Sequence, residues 1–144
     1  MASIHEILAD VQLFKNDRSS VAASETLSGK KTVLVYFSAH WCPPCRSFTP
    51  KLKNAYETEL KAGNVEIIFV SSDQTEDAAF DYMVNDHGDY FMVPHNSEAA
   101  NKLKSLCELS GIPTLSMFDG ESGKLKNKEV DDAIHSGKFS AILN

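Results

Sequence analysis

At 144 residues the chain is long enough to bury roughly 68% of its unfolded surface in one domain, so a core can form without disulfide staples. With 42% hydrophobic and 24% charged residues and no low-complexity tract, it has the composition of an ordinary globular protein and not of a disordered one. Fourteen Lys and Arg stand against twenty Asp and Glu, a formal charge of -6, and no basic stripe emerges, which argues against a nucleic-acid partner.

In "MASIHEILADVQLFKNDRSS", Glu6 and Asp10 interrupt the apolar run a signal peptide needs, and they are out of place in an acid-poor transit peptide. No later run approaches the ~20 apolar residues of a membrane span. The expected address is therefore cytoplasmic, with the nucleus as a second, and neither secretion nor membrane attachment is expected. Ile4, Ile7, Leu8, Val11 and Phe14 fall at helical spacing and predict an amphipathic first helix, an N-terminal extension over about 1–18. "TVLVYFSA" (32–39), uncharged and rich in β-branched and aromatic residues, reads as a strand buried on both faces.

That strand runs into "HWCPPCR". Beyond it, Phe48, Leu52, Ala55, Tyr56 and Leu60 mark one face of a helix ending near Gly63, with a kink expected at Pro50. "VEIIFVSS" (65–72) is a second buried strand. Thr75 caps a helix whose first turn carries Glu76 and Asp77 and whose inward face is Ala79, Phe80, Met83 and Val84. Asn96 or Ser97 caps the next, with Ala99, Ala100, Leu103, Leu106 and Cys107 inward. "GIPTLSMF" (111–118) gives a third strand, "DGESG" a turn, "KLKNK" an edge strand, and 130–136 a last helix. Strands alternating with helices predict an α/β three-layer sandwich, a central mixed sheet flanked by helices, parallel where helices cross over and antiparallel at the final hairpin. No linker divides the chain, so residues 1–144 read as one domain.

Cys42 and Cys45 hold the chemistry. Placed where a strand ends and a helix begins, Cys42 meets unpaired amides and the positive end of the helix dipole, which favour a negative charge on its sulfur. Pro43 and Pro44 suit a helix's first turn but supply no N–H. Support for a Cys42 thiolate must come from the N–H or S–H of Cys45, from the dipole, and from Arg46 four residues on. The two-residue gap lets Cys45 attack a mixed disulfide formed at Cys42, so Cys42 attacks and Cys45 resolves. Half of a zinc site is the rival reading of CxxC, but no second CxxC or HxxxH follows, and no metal or cofactor is expected. An odd count of three cysteines fits reactive or buried thiols better than a static disulfide framework; Cys107, on a helix's apolar face, reads as a core residue. His40 reads as an exposed turn residue.

"VYFSAHWCPPCR", "EIIFVSSD" and "GIPTL", in that order, resemble the thioredoxin superfamily, and within it the tryparedoxin and nucleoredoxin branch, over about 29–123. The resemblance implies a thioredoxin-like fold and a protein-disulfide reductase recharged by an upstream dithiol reductant, whether a thioredoxin reductase, glutathione or trypanothione system. It implies that Pro113 follows a cis peptide bond beside the cysteines, that the Ile112 backbone offers an edge to a substrate strand, and that Trp41 covers the pair and touches partners. Thioredoxins carry a buried Asp where this chain has Tyr36, as the branch does; the proton route for Cys45 is then sought at Asp73 or Tyr36. Ser72, Ser110 and the acidic "EVDD" (129–132) depart from the tryparedoxin pattern, while "SAHWCPPCR" and Gly111 lean toward nucleoredoxins. A monomer acting on protein disulfides is expected. The alternative is a redox-sensitive interaction module whose partner binding is switched by a Cys42–Cys45 disulfide.

Overall fold

The computed structural model describes residues 3–143. Ser3 accepts the Glu6 amide at 3.1 Å and caps a single-turn helix, α1 (Ile4–Ile7). Here the structure corrects the predicted helix over the first eighteen residues. The chain leaves helical geometry after Ile7 and forms β1 (Gln12–Phe14), which turns back as β2 (Ser20–Ala22) and leads into the short α2 (Ala23–Leu27). The reason is visible in two adjacent apolar residues: Leu13 packs into the core on one side of the sheet and Phe14 into the core on the other. Only the two-residue period of a strand serves both.

The sheet's centre is β3 (Thr32–Ser38), followed by α3 (Pro43–Ala55), which continues through a π-helical turn (Tyr56–Leu60), and then by β4 (Val65–Ser71). Every residue of β3 and β4 is buried, and the two pair in parallel from Thr32–Val65 to Ser38–Ser71. Pro50 lies inside α3 without ending it, and the helix passes into the π turn at Tyr56, six residues further on. Next come α4 (Glu76–Asp86), capped by Thr75, β5 (Phe91–Met92), and α5 (Glu98–Leu106), capped by Ser97 and not Asn96. The chain closes with β6 (Thr114–Asp119), β7 (Leu125–Asn127), α6 (Asp131–Ser136) and α7 (Ser140–Leu143). No helix among the described residues is long and apolar enough to cross a membrane.

The sheet order is β2-β1-β5-β4-β3-β6-β7. Alternation along β3 separates two cores. Leu34 and Tyr36 face Phe48, Leu52, Phe80 and Ile134, while Val33, Val35 and Phe37 face Ile4, Leu27, Ala100 and Leu103. Helices α3, α4 and α6 thus cover one face and α1, α2 and α5 the other, the three-layer α/β sandwich expected.

Two expectations need correction. Although a helix precedes β6, that strand runs antiparallel to β3, from Phe37–Thr114 to Thr32–Asp119. It enters the sheet at the end of β3 that carries the cysteine motif, which brings Ile112 and Pro113 to that end. On α4, Tyr82 takes the inward place and Val84, a step further round the helix, is exposed. Tyr82's hydroxyl is hydrogen-bonded, so its burial leaves no polar group unsatisfied.

Candidate active site

At the end of β3 the chain turns through Ala39, His40 and Trp41, and the Cys42 amide donates to the Ala39 carbonyl at 3.2 Å. Cys42 is the N-cap residue of α3, with extended backbone and with Pro43 and Pro44 in the first turn. The prolines withhold two N–H groups, so the first helix amide free to face the cap is that of Cys45. All three cysteines are free thiols. Cys42 keeps a sliver of surface, at 5% exposed, and its Sγ lies 3.8 Å from the Ile112 carbonyl. Cys45 is fully covered. Burial, and after it a hydrogen bond with the Cys42 sulfur, push the Cys45 thiol up to about 12; the Ala39 backbone and the Ser38 hydroxyl pull the other way. Cys45 is therefore a neutral thiol at physiological pH.

The Ile112–Pro113 peptide bond is cis. Ile112 and Pro113 are half-buried, Pro43 and Pro44 are exposed, and the Trp41 side chain stands 58% exposed beside the cysteines. The indole is not loose, because its Nε1–H donates to the Ser72 carbonyl at 3.0 Å. Asp73 holds the same loop from below. Its carboxylate accepts the His40 amide at 2.9 Å and the Ser71 hydroxyl at 2.7 Å, while its carbonyl is 2.7 Å from His95 Nε2. The β4–α4 connection thereby clamps His40 and Trp41 in place over the start of α3.

A family model described as thioredoxin-like matches residues 29–125. The chain belongs to the thioredoxin-like family. It is 43% identical to human nucleoredoxin over 116 residues, which is 79% of this chain and 26% of that protein. The chain thus spans about a quarter of the length of the nucleoredoxin it matches. Among solved structures, a thioredoxin from Wuchereria bancrofti superposes with a TM-score of 0.83 at 39% identity, over 94% of this chain and 96% of the other. Tryparedoxin II in complex with glutathionylspermidine superposes with a TM-score of 0.85 at 25% identity, over 97% of each chain.

Of the residues singled out in the sequence, this thioredoxin-like site brings together Cys42, Cys45, Trp41, Pro43, Pro44, Ile112 and Pro113. Arg46 donates its backbone amide to the Cys42 carbonyl at 3.1 Å, but its exposed side chain lines a groove with Lys53, Asn85 and Asp86 on the flank of α3. Asp73 bonds a backbone amide and a serine, and Tyr36 places its hydroxyl 3.5 Å from the Cys45 carbonyl and 2.7 Å from Thr49 Oγ1. The side-chain hydrogen bonds of both run to backbone and hydroxyl groups and not to a cysteine sulfur. Cys107 is a core residue at the end of α5, its thiol pushed up by burial. The sequence reading passed over Ser38, Thr49 and Tyr82, whose hydroxyls run beneath Cys45. Nothing in their spacing marks them, since they come from three separate elements.

Proposed function

We propose that the protein is a thiol–disulfide oxidoreductase that reduces protein disulfides through a Cys42/Cys45 dithiol–disulfide cycle. The observation that carries this reading is the unequal pair: one thiol at the rim of a helix N-terminus, and a neighbour buried and held protonated behind it. A Cys42 thiolate attacks one sulfur of a partner disulfide, expels the other as a thiolate and forms a mixed disulfide. Cys45 then gives up its proton and attacks Cys42 Sγ. The Cys42–partner bond breaks, and the second partner sulfur leaves and takes up a proton. Two electrons pass to the partner, and the enzyme keeps a Cys42–Cys45 disulfide.

The order of steps follows from what holds the Cys45 proton. Its hydrogen bond with Cys42 counts against ionisation only while the Cys42 sulfur is a free acceptor. Once that sulfur is bonded to a partner, the contributions of Cys42 that raise Cys45 are weakened and burial alone remains, so resolution is favoured only after capture. Trp41, Pro43, Pro44, Ile112 and Pro113 form the rim we assign to substrate contact, with the Ile112 backbone offering main-chain hydrogen bonds to an extended segment. Arg46, whose side chain lies on the flank of α3, is left with a site-shaping role beside this rim.

The cycle needs no bound cofactor, but it needs an upstream dithiol reductant of the thioredoxin reductase, glutathione or trypanothione type. The last stays among these because a tryparedoxin neighbour is solved with glutathionylspermidine. We place the protein in a reducing compartment, the cytoplasm or nucleus, where such a cycle runs toward reduction.

Steady reduction of insulin disulfides under a recycling reductant tests the proposal. Cys42→Ser abolishes turnover, and Cys45→Ser accumulates mixed disulfides; full activity in Cys42→Ser overturns the roles. One stoichiometric exchange followed by stalling favours the second reading, a redox-switched interaction module. The exposed indole of Trp41, an apolar contact surface beside the switchable pair, speaks for that reading.

A further inference from the structure

Four buried hydroxyls lie end to end between β3, α3 and α4. Tyr36 OH is 2.7 Å from Thr49 Oγ1, Thr49 Oγ1 is 2.6 Å from Tyr82 OH, and Tyr82 OH is 2.7 Å from Ser38 Oγ. All four residues are sealed from solvent. Tyr36 OH and Thr49 Oγ1 meet the Cys45 carbonyl at 3.5 and 2.8 Å, and Ser38, at the other end of the string, is a group that favours the Cys45 thiolate.

Each hydroxyl has one proton and two lone pairs, and the same heavy-atom positions accept two complete arrangements of the four protons. In one, Ser38 donates to Tyr82, Tyr82 and Tyr36 donate to Thr49, and Thr49 donates to the Cys45 carbonyl, so every proton points away from the sulfur. In the other, Tyr36 donates to Thr49, Thr49 to Tyr82, Tyr82 to Ser38, and Ser38 to Cys45 Sγ. The Cys45 carbonyl then keeps only the hydrogen bond α3 itself provides. Within the string only three hydroxyl protons rotate, and the Ser38 hydroxyl turns toward the sulfur as charge forms there. The first arrangement suits a neutral thiol and the second a thiolate, and each bond in the second strengthens the next.

We propose that Ser38 and Tyr82, backed by Thr49 and Tyr36, are positioning residues for the resolving step: the string turns its protons toward Cys45 as the thiolate forms and stabilises the charge that attacks Cys42. This inference rests on the Cys42/Cys45 cycle proposed above. The string holds no net charge and takes up no proton; the proton lost by Cys45 passes to the departing partner sulfur. The arrangement supplies preorganised donors aimed at a charge that exists only during the step. It includes Tyr36, the position at which thioredoxins carry a buried Asp.

Several ionisable groups face the string. Cys42 and Cys45 come from α3. The His40 ring meets Tyr82 at 5.5 Å between centroids, and the His87 ring meets Tyr82 at 4.3 Å and Tyr36 at 5.8 Å. Tyr90 lies behind His87, and the Asp73 carboxylate is bound to the His40 amide.

The test is stopped-flow reaction of the reduced full chain with an equimolar aromatic disulfide, dithiobis(nitrobenzoate). The first equivalent of coloured thiolate reports attack by Cys42, and the second reports displacement by Cys45. Ser38→Ala is expected to slow the second phase roughly ten-fold at neutral pH, and the near-isosteric Tyr82→Phe roughly three-fold. Both should move the pH profile of that phase upward while the first phase stays within about two-fold. An unchanged second phase and pH profile in folded Tyr82→Phe overturns the inference, as does equal slowing of both phases; Tyr82→Phe decides the matter if Ser38→Ala does not fold. Absence of a second phase in the wild-type protein refutes the cycle itself.

Discussion

His87 offers a measurement of how completely this core excludes charge. It follows α4, is 3% exposed, lies tilted over Phe69 at 4.2 Å and meets Tyr82 edge-on at 4.3 Å between ring centroids. Its Nδ1 lies 2.6 Å from Tyr90 OH, and Nε2 has no hydrogen-bond partner. The Nδ1 contact with the tyrosine hydroxyl is thus the hydrogen bond the buried ring makes, whichever of the two carries the proton. A second ring proton would place a charge in this buried site with no group to compensate it at Nε2. Burial lowers the His87 pKa to about 3. An unfolded histidine titrates near 6.5, so between these values the unfolded chain binds more protons, and stability falls as pH falls. The contribution is intact above about 6.5 and is lost progressively down toward 3. From pH 7 to pH 5 the loss from this residue alone is about 2 kcal/mol. In urea unfolding that is a midpoint about 1 M lower. Glu66 and Asp131, raised by burial, act with the opposite sign, since acid favours their folded forms. The assay therefore compares wild type with His87→Phe, which keeps the ring and cannot ionise. Whatever the substitution costs at pH 7, its additional loss at pH 5 should be about 2 kcal/mol smaller than that of wild type. Equal losses in the two proteins, or an NMR titration of His87 near 6, would refute the reasoning.

Two further expectations concern the rim. Trp41→Ala removes an exposed side chain bonded only to the Ser72 carbonyl, so stability should change by less than about 0.5 kcal/mol. KM for protein disulfides should rise roughly ten-fold, with little effect on a small aromatic disulfide; an equal loss on both substrates would show that Trp41 acts on the cysteines instead of the partner. Asp73→Ala strands the His40 amide and the Ser71 hydroxyl and should cost about 1–3 kcal/mol in chemical unfolding. Asp73→Asn keeps an acceptor and should leave the resolving phase within about three-fold. If Asp73→Asn instead stopped that phase in a stable protein, the carboxylate would be a proton relay after all.

Much of the architecture is readable because it is written in local patterns. The uncharged run of β3, the period-three-and-four stripe of α3 and the caps at Thr75 and Ser97 each need only neighbours along the chain. The cysteine motif is legible for the same reason, since a strand, a CxxC and two first-turn prolines are contiguous. Where expectation failed, a distant partner had overruled the local pattern. Val11 and Phe14 fit a helical stripe, yet Phe14 pairs with Met92 and stacks edge-on against Phe80 at 5.5 Å, so the segment is a strand. Val84 fits the stripe of α4, but Tyr82 finds Ser38 and Thr49 waiting across the core and takes the inward position.

The amino-acid order alone determined that a thiol pair sits at a strand-to-helix junction in an α/β chain, because backbone propensity, capping and side-chain period act over a few residues. It did not determine which groups surround the buried thiol. Ser38, Thr49 and Tyr82 converge on Cys45 from a strand and two helices, and Ile112 reaches Cys42 because β6 enters the sheet antiparallel. Those meetings were decided by how the layers stack, since hydrogen bonds depend on distances across the core that no spacing along the chain records.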